Sequence, residues 1–244
     1  MVYDNTKLQL EFSRIEHKYL LLPTIAERLK KYLSRFAEMD IANKKNNNQA
    51  YFVKSIYFDS PTLTFAQEKI EGCSDRIKIR VRTYAEDENN TNLFLEIKGK
   101  KGERIYKQRE RITFLELQSL MRCDLEFLLA KEEDFFKRVW FWFSYYHLSP
   151  KVKNSYERIS FVDHLVNCKV SFDSELRANA VNAQSFLQKT PLNGMVVMEV
   201  KFDKHLPKYL AEMISQNELK RVSVSKYLLS VQAINNKFLT IINN

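Results

Sequence analysis

The segment from Arg76 to Arg82 reads RIKIRVR, so a cationic side chain recurs at every second position. The residues between the cations are Ile77, Ile79 and Val81. In a β-strand, alternate side chains point to opposite faces, and this segment would therefore have one cationic face and one apolar face. Four positive charges in a row need a polyanion to offset their mutual repulsion, and phosphate chains, nucleic acid and acidic lipid are the candidates.

Several other segments that read as strands carry charge on one face in the same way. Their alternating charged or polar positions are Arg14, Glu16 and Lys18; Glu96 and Lys98; Lys107, Arg109 and Arg111; Tyr156 and Arg158; Lys169 and Ser171; and Glu199 and Lys201. One such face alone is most simply the solvent face of an antiparallel sheet. Many such faces favour a shared interior, because a closed sheet of about eight strands can hold a ligand. A lumen lined by cations is costly without counter-charge, and a chain of phosphates would supply it.

Two acidic residues, Glu16 and Glu199, lie among these basic positions. A site that bound only anions would not need them. Carboxylates beside phosphates are best explained by a divalent ion, which takes oxygen ligands from both groups. The alternative is an ion pair between each glutamate and a neighbouring Arg or Lys. Of the two residues, Glu199 is the preferred metal ligand.

The elements that must position these residues form an α+β pattern around a largely antiparallel sheet or barrel. Strands are predicted at 8–22, 51–58, 76–82, 93–98, 105–112, 151–162, 169–173 and 195–202. Helices are predicted after Pro23, from Thr113 to Arg122, and at 63–70, 125–146, 206–216 and 225–241. The strand faces opposite the charged ones are apolar, so we expect helices to cover the sheet from outside and the charged faces to point inward.

Composition limits the class of protein. The chain has 244 residues, 45% of them hydrophobic, with 4 Gly and 5 Pro, which favours one folded domain over residues 1–244. Lys and Arg total 39 against 30 Asp and Glu, and the net charge of +9 favours a polyanionic partner. The three cysteines lack CxxC spacing and indicate neither a disulfide framework nor a zinc site. No apolar run approaches the roughly 20 residues of a membrane span, and we expect a cytoplasmic protein.

Nine segments together resemble the VTC domain, the polyphosphate polymerase domain of the vacuolar transporter chaperone complex, which belongs to the triphosphate tunnel metalloenzymes. They occur in the order of that family and cover residues 14 to 227. The segments are RIEHKY, SIYFDS, RIKIRVRTY, LEIKGK, YKQRERITF, PKVKNSYERISF, KVSFDSELRA, VMEVKF and SKY. Each motif is weak by itself, but nine in order are specific.

The resemblance implies a tunnel of about eight antiparallel strands that binds ATP and polyphosphate or triphosphate. It implies that the triphosphate is faced by Lys18, Arg80, Arg82, Lys98, Lys107, Arg158, Lys201 and Lys226. It also implies that Glu199 holds Mn²⁺ or Mg²⁺, and that Tyr156 and Ser225 donate hydrogen bonds to phosphate oxygens. From the charged faces, Arg109 joins the expected catalytic set, Arg14, Lys78 and Lys169 join the substrate contacts, and Glu16 is a second candidate metal ligand.

The chain departs from the wider superfamily in its first strand, which reads Arg-x-Glu-x-Lys instead of Glu-x-Glu-x-Lys. One acid fewer is then available for a second metal, which disfavours two-metal hydrolysis. Lys169 stands where relatives usually have Arg, and Ser223 stands where the eukaryotic enzyme is expected to have a basic residue. These changes predict a somewhat lower tunnel charge.

Three functions remain open from the sequence. The leading one is a polyphosphate polymerase, the second is a triphosphatase that uses water as the acceptor, and the third is a module that binds polyphosphate without turnover. Nucleic acid is not expected, because a tunnel sized for phosphate chains excludes a duplex and no recognised motif is present. The sequence indicates no oligomeric state.

Overall fold

The computed structural model describes residues 15–47, 49–84, 92–101, 104–181 and 188–235. Arg14, which was predicted to contact substrate, and the end of the last predicted helix at 236–241 lie outside the described residues. Within them, the chain folds as an antiparallel sheet with helices, which confirms the predicted α+β class.

One sheet contains all the described strands, and every neighbouring pair in it is antiparallel. The strands are β1 (Ile15–Leu21), β2 (Glu38–Met39), β3 (Tyr51–Asp59), β4 (Arg76–Thr83), β5 (Leu93–Lys101), β6 (Arg104–Ile112), β7 (Ser149–Asp163), β8 (Cys168–Ala180) and β9 (Val196–Phe202). Eight of them follow the order β1-β9-β8-β7-β3-β4-β5-β6, and the short β2 pairs with β7 off this path.

Helices lie between and after the strands. They are α1 (Pro23–Leu33), α2 (Ile41–Lys45), α3 (Thr64–Ile70), α4 (Phe114–Met121), α5 (Glu126–Leu129), α6 (Asp134–Tyr146), α7 (Lys208–Gln216) and α8 (Lys226–Ile234). In the described part of the chain, none of them combines the length and apolar character that a membrane span needs.

The apolar sides of β4 and β5 bury against helices, as the alternation in RIKIRVR predicts. Ile79 is fully buried, and the core it joins includes Leu95 of the neighbouring strand. Helix α6 covers this half of the sheet with Phe136 and Val139. A side chain of this size contributes about 1.5–3 kcal/mol when it is fully buried. The charged faces of the same strands therefore point away from the helices.

The other half of the sheet is covered in the same way by α1 and α7. Met198 and Val200 of β9 pack against Leu29 and Leu33 of α1 and Leu210 of α7. Pro23 begins α1, where its missing N–H costs no hydrogen bond, and α1 follows β1 directly. Both halves of the sheet thus have helices on one side and charged residues on the other.

The sheet curls, so that its two ends approach each other on the charged side. The described residues show no backbone ladder between the edge strands β1 and β6. Nevertheless, Lys98 Nζ of β5 lies 3.3 Å from Glu16 Oε2 of β1, although five strands separate β1 from β5 in the sheet order. The charged side chains therefore line a concave trough.

Helix α8 differs from the other long helices, because it lies on the concave side of the sheet. Tyr227 stacks on Tyr57 with ring centroids 4.8 Å apart, and Ser230 accepts a hydrogen bond from Asn154. Its start was predicted at Ser225, and the structure confirms Ser225 as the N-cap residue. The helix closes part of the trough.

Two local predictions were wrong. The helix predicted at 125–146 is two helices, α5 and α6, because the polar run around Glu133 adopts extended backbone and provides no apolar surface to bury. Strand β8 continues past residue 173 to Ala180, with a register shift in its pairing to β7 and with Glu175 at a positive φ of 51°. The irregularity bends the strand and explains why its alternation is hard to follow in the sequence.

Candidate functional site

The trough contains a cavity of about 1060 Å³. Its lining comes from β1, β3, β4, β5, β7, β9, α3 and the segment that leads into α8. Twelve of the described lining residues are cationic, namely Lys18, Lys69, Arg76, Lys78, Arg80, Arg82, Lys98, Lys100, Arg158, Lys201, Arg221 and Lys226. Two further described lining residues, Glu16 and Glu199, carry carboxylates. The cavity is therefore strongly electropositive.

Most of the residues predicted from the sequence meet in this cavity. Those that line it are Glu16, Lys18, Lys78, Arg80, Arg82, Lys98, Tyr156, Arg158, Glu199, Lys201, Ser225 and Lys226. They come from five strands (β1, β4, β5, β7 and β9) and from the start of α8, and the curvature of the sheet brings them together. Their individual roles stay predictions.

Three predicted residues lie outside the cavity lining. Lys107 is 3.0 Å from Glu96 Oε1, and Lys169 is paired with Asp40. Arg109 places its guanidinium 4.9 Å from the ring centre of Phe94. All three side chains lie on the charged face of their strands, as predicted. Each contacts a neighbouring side chain and does not extend into the cavity.

Glu96 is a buried carboxylate that holds Arg80 in position. Its Oε2 lies 2.6 Å from Arg80 Nη2, and Tyr57 accepts a hydrogen bond from Arg80 at 3.0 Å. Burial opposes ionisation, yet Arg80, Arg82 and Lys107 together keep the pKa of Glu96 well below its usual range. Glu96 therefore remains an anion, and Arg80 is fixed as it faces the cavity.

Asp173 plays the corresponding part on β8. It is fully buried and accepts two hydrogen bonds from Arg158, one of them 2.7 Å long, and it also contacts Lys226 of α8. Burial raises the cost of its charge, but Arg158 and Lys226 lower the pKa of the carboxyl group. One carboxylate thus orients two of the cations that face the cavity.

Glu16 and Glu199 form a third cluster, on the neighbouring strands β1 and β9. Lys18 Nζ lies 2.8 Å from Glu16 and Lys201 Nζ lies 2.7 Å from Glu199. Burial and Glu199 oppose the ionisation of Glu16, but Lys98, Lys18 and Lys201 lower its pKa to about 2. Both groups are anionic oxygen donors at the cavity wall, which is the donor chemistry that a hard divalent cation prefers.

Lys78 differs from these cations, because no carboxylate partner for it is found in the part of the chain that the structure describes. Lys78 donates a hydrogen bond to Ser225 Oγ at 2.8 Å, and within the described residues it makes no ion pair. Burial and the neighbouring ammonium groups of Lys18 and Lys98 lower its pKa well below the usual value. An incoming anion would stabilise the charge of this partly buried lysine.

The VTC domain family matches residues 13–235. The chain belongs to the VTC domain family. The match confirms the predicted resemblance to this family. No relative was found among curated proteins.

Solved structures resemble this VTC domain at low sequence identity. A crystal structure of a protein proposed to be an adenylate cyclase from Bacillus halodurans has a TM-score of 0.54 and 11% identity, over 87% of this chain and 93% of that one. A protein with the same proposed activity from Vibrio parahaemolyticus has a TM-score of 0.49 and 14% identity, over 90% of this chain and 98% of that one. The first likeness shows a common fold and nothing about activity.

Several lining residues of the VTC domain were missed from the sequence. Lys69 comes from α3 and Arg221 from the segment before α8, where no strand period marks them. Lys69 donates a hydrogen bond of 2.6 Å to Ser223, the position where a basic residue was expected. A lysine from a different element therefore supplies charge near that position. Asp173, which contacts two of the lining cations, was also missed. The sequence could have indicated it, since Asp173 continues the alternation of Lys169 and Ser171.

A buried acid also fixes α8 over the trough. Asp59 accepts hydrogen bonds from the backbone N–H groups of Ser60, Phe65 and Ala66 and from the hydroxyl of Tyr227. Burial raises the pKa of Asp59 and also that of Tyr227. Through Tyr227, Asp59 ties the start of α8, with its cavity-lining residues, to β3 and α3.

Proposed function

We propose that this VTC domain is a polyphosphate polymerase, which transfers the γ-phosphate of ATP onto a growing polyphosphate chain inside the cavity. The observation that carries the proposal is the convergence of twelve Lys and Arg residues on one hollow, with two carboxylates in its described lining. A single phosphate would offset little of that charge. An oligophosphate, which repeats its charge along a narrow chain, matches a trough lined on several sides.

The reaction needs no protein nucleophile. An oxygen of the terminal phosphate of the chain attacks the γ-phosphorus of ATP and forms a new P–O bond. The bond between the γ-phosphorus and the β,γ-bridging oxygen breaks, ADP leaves, and the chain is one phosphate longer. Catalysis by this route depends on positioning and on stabilisation of the charge on phosphate oxygens.

The paired cations are suited to that task because they are held before substrate binds. Glu96 and Tyr57 orient Arg80, and Asp173 orients Arg158 and Lys226. Little reorganisation is then needed when charge shifts in the transition state. Ser225 caps α8 and adds the N-terminus of a nine-residue helix, which favours negative charge.

The donor set at Glu16 and Glu199 fits a divalent cation such as Mn²⁺ or Mg²⁺. Magnesium is commonly bound by one or two carboxylates together with substrate phosphates, and these two side chains lie on adjacent strands at the cavity wall. Such an ion would neutralise charge on the phosphate oxygens. Lys18 and Lys201 contact the same carboxylates and would orient them.

The test is to incubate the purified protein with ATP and Mn²⁺ and to separate the products by length. Long phosphate chains support the proposal. Free phosphate without chains would indicate a triphosphatase, and unchanged ATP with tight retention of added polyphosphate would indicate a binding module. Glu199→Gln is expected to abolish turnover, whereas Glu110→Gln, which changes an exposed carboxylate of β6, is the matched control.

A further inference from the structure

A group of aromatic and arginine side chains lies beyond one end of the cavity, and the phosphate chemistry does not use it. Tyr84 follows β4, and its ring centre is 6.1 Å from that of Phe94 on β5 and 6.4 Å from that of Tyr51 on β3. We name Tyr51, Tyr84 and Phe94 the aromatic platform. Phe94 and Tyr84 are only partly buried and form the accessible part of the platform, whereas Tyr51 is buried.

The platform is continuous with the cavity. Phe94 is paired in the sheet with Arg82, so both side chains project from the concave face. The guanidinium of Arg82 lies 5.9 Å from the ring centre of Tyr84, while the same residue lines the cavity. A ligand that places phosphates along β4 therefore has the platform at one end.

Two exposed arginines complete the cluster. The guanidinium groups of Arg109 and Arg111 lie 4.9 Å and 5.8 Å from the ring centre of Phe94. Among the described residues, neither arginine pairs with a carboxylate. Aromatic rings and guanidinium planes are the surfaces on which nucleic acid bases stack, with little dependence on the identity of the base.

The two ends of β4 and β5 differ in chemistry. Arg76 of β4 and Lys100 of β5 lie opposite each other in the sheet, at the end away from the platform. Lys69 and Arg221 line the same cavity. Arg82 lies six positions after Arg76, which is roughly 20 Å along a strand. One end of the trough thus carries cationic side chains suited to more phosphates, whereas the other combines arginines with aromatic rings on which a flat ring can stack.

We propose that the aromatic platform and Arg109 bind the base of the nucleotide, with its triphosphate along Arg82 and Arg80. The proposal rests on the proposed function, because it takes ATP as the phosphate donor. The nucleotide and the acceptor chain would then lie at opposite ends of the trough, with the acceptor chain toward Arg76 and Lys100. It also assigns Arg109 to the base and not to the phosphates.

The experiment compares two ligands of similar charge, ATP and ribose 5-triphosphate, which lacks the base. Isothermal titration calorimetry measures both affinities for the wild-type protein, for Phe94→Leu and for Arg109→Gln. Wild-type protein is expected to bind ATP roughly tenfold more tightly than ribose triphosphate. Phe94→Leu is expected to remove that difference and to leave the affinity for ribose triphosphate unchanged.

The control is Tyr145→Leu, which replaces an exposed aromatic residue of α6 and should alter neither affinity. Arg109→Gln should weaken ATP binding only, and equal loss for both ligands would place Arg109 on the phosphates and overturn its assignment. Equal affinity of wild-type protein for the two ligands would overturn the base site while leaving the phosphate site intact. Binding of neither ligand would overturn the proposed function as well.

Discussion

Replacing Asp173 by Asn should weaken the fold and strengthen anion binding at the same time. The carboxylate is fully buried and neutralises Arg158 and Lys226, and both cations line the cavity. Without it, two cations remain in a poorly solvated site and lose the carboxylate that contacts them both. A phosphate chain that binds in the cavity would then supply the missing negative charge.

The expected magnitudes follow from the contacts. Breaking a buried ion pair by removing one partner costs about 3–5 kcal/mol, and the lower value applies because Asn can still accept a hydrogen bond. In a protein of this length, a loss of about 3 kcal/mol lowers Tm by roughly 6–12 °C. If the freed cations add about 1.4 kcal/mol to triphosphate binding, the affinity rises about tenfold.

The assay is urea denaturation of wild-type protein and Asp173→Asn, with and without inorganic triphosphate, followed by calorimetric titration. At equal ligand concentration, triphosphate should restore about 1.4 kcal/mol more stability to the variant than to the wild type. Asp163→Asn is the matched control, because Asp163 ends β7 and bonds to Tyr209 away from the cavity. Weaker triphosphate binding by Asp173→Asn would refute the reasoning, since Arg158 and Lys226 would then not face the ligand.

Three further predictions concern other parts of the site. Arg80→Ala combined with Arg82→Ala should weaken triphosphate binding by roughly 100-fold in calorimetry. The control Arg35→Ala, which changes an exposed arginine, should leave the affinity unchanged. An unaltered affinity of the double variant would place Arg80 and Arg82 outside the site. Burial and the ammonium groups of Lys18 and Lys201 lower the pKa of Lys98 to about 8, against the opposing effect of Glu16. The charge of Lys98 is therefore present below pH 8 and lost above it, so triphosphate affinity should fall between pH 7 and pH 9. Lys98→Arg should reduce that fall, and an identical pH profile for this variant would contradict the assignment. Tyr227→Phe removes one of the hydrogen bonds to buried Asp59 and should lower the free energy of unfolding by about 1–3 kcal/mol in urea titrations, and an unchanged stability would contradict the anchoring role of that bond.

The charged and apolar faces of the strands could be predicted from the sequence. In RIKIRVR, Ile79 is buried in the core while Arg80 and Arg82 line the cavity. The prediction holds because alternation is fixed by backbone geometry, and burial of one face fixes which residues point outward. The sequence pattern also predicted a helix start at Ser225. Only the family motifs associated Ser225 and Lys226 of that helix with the charged faces of the strands.

What the sequence lacks is information on depth and on contacts between distant elements. Lys107 and Arg109 lie on the charged face of β6, as predicted, but β6 is the last strand of the sheet. Lys107 therefore contacts Glu96 and Arg109 contacts Phe94, and neither lines the cavity. Lys69 lies on a helix, where a single basic residue carries no signal. That residues 1–244 form a single domain stays a prediction, as do the roles of the individual site residues.

The position of α8 could not be predicted for a related reason. Its apolar residues indicate that one face is buried, but they do not indicate which side of the sheet buries it. The structure settles the matter through Tyr227, which stacks on Tyr57 and bonds to Asp59. Such contacts join residues far apart in the chain, and a single sequence does not reveal them.

The central claim is that basic side chains from separate strands together bind one oligophosphate within the trough. A crystal structure of the protein grown with inorganic triphosphate tests it most directly. The account predicts phosphate oxygens within hydrogen-bonding distance of Arg80, Arg158 and Lys226 in a single bound ligand. Triphosphate bound on the outer surface, with these three side chains still paired only to Glu96 and Asp173, would contradict it.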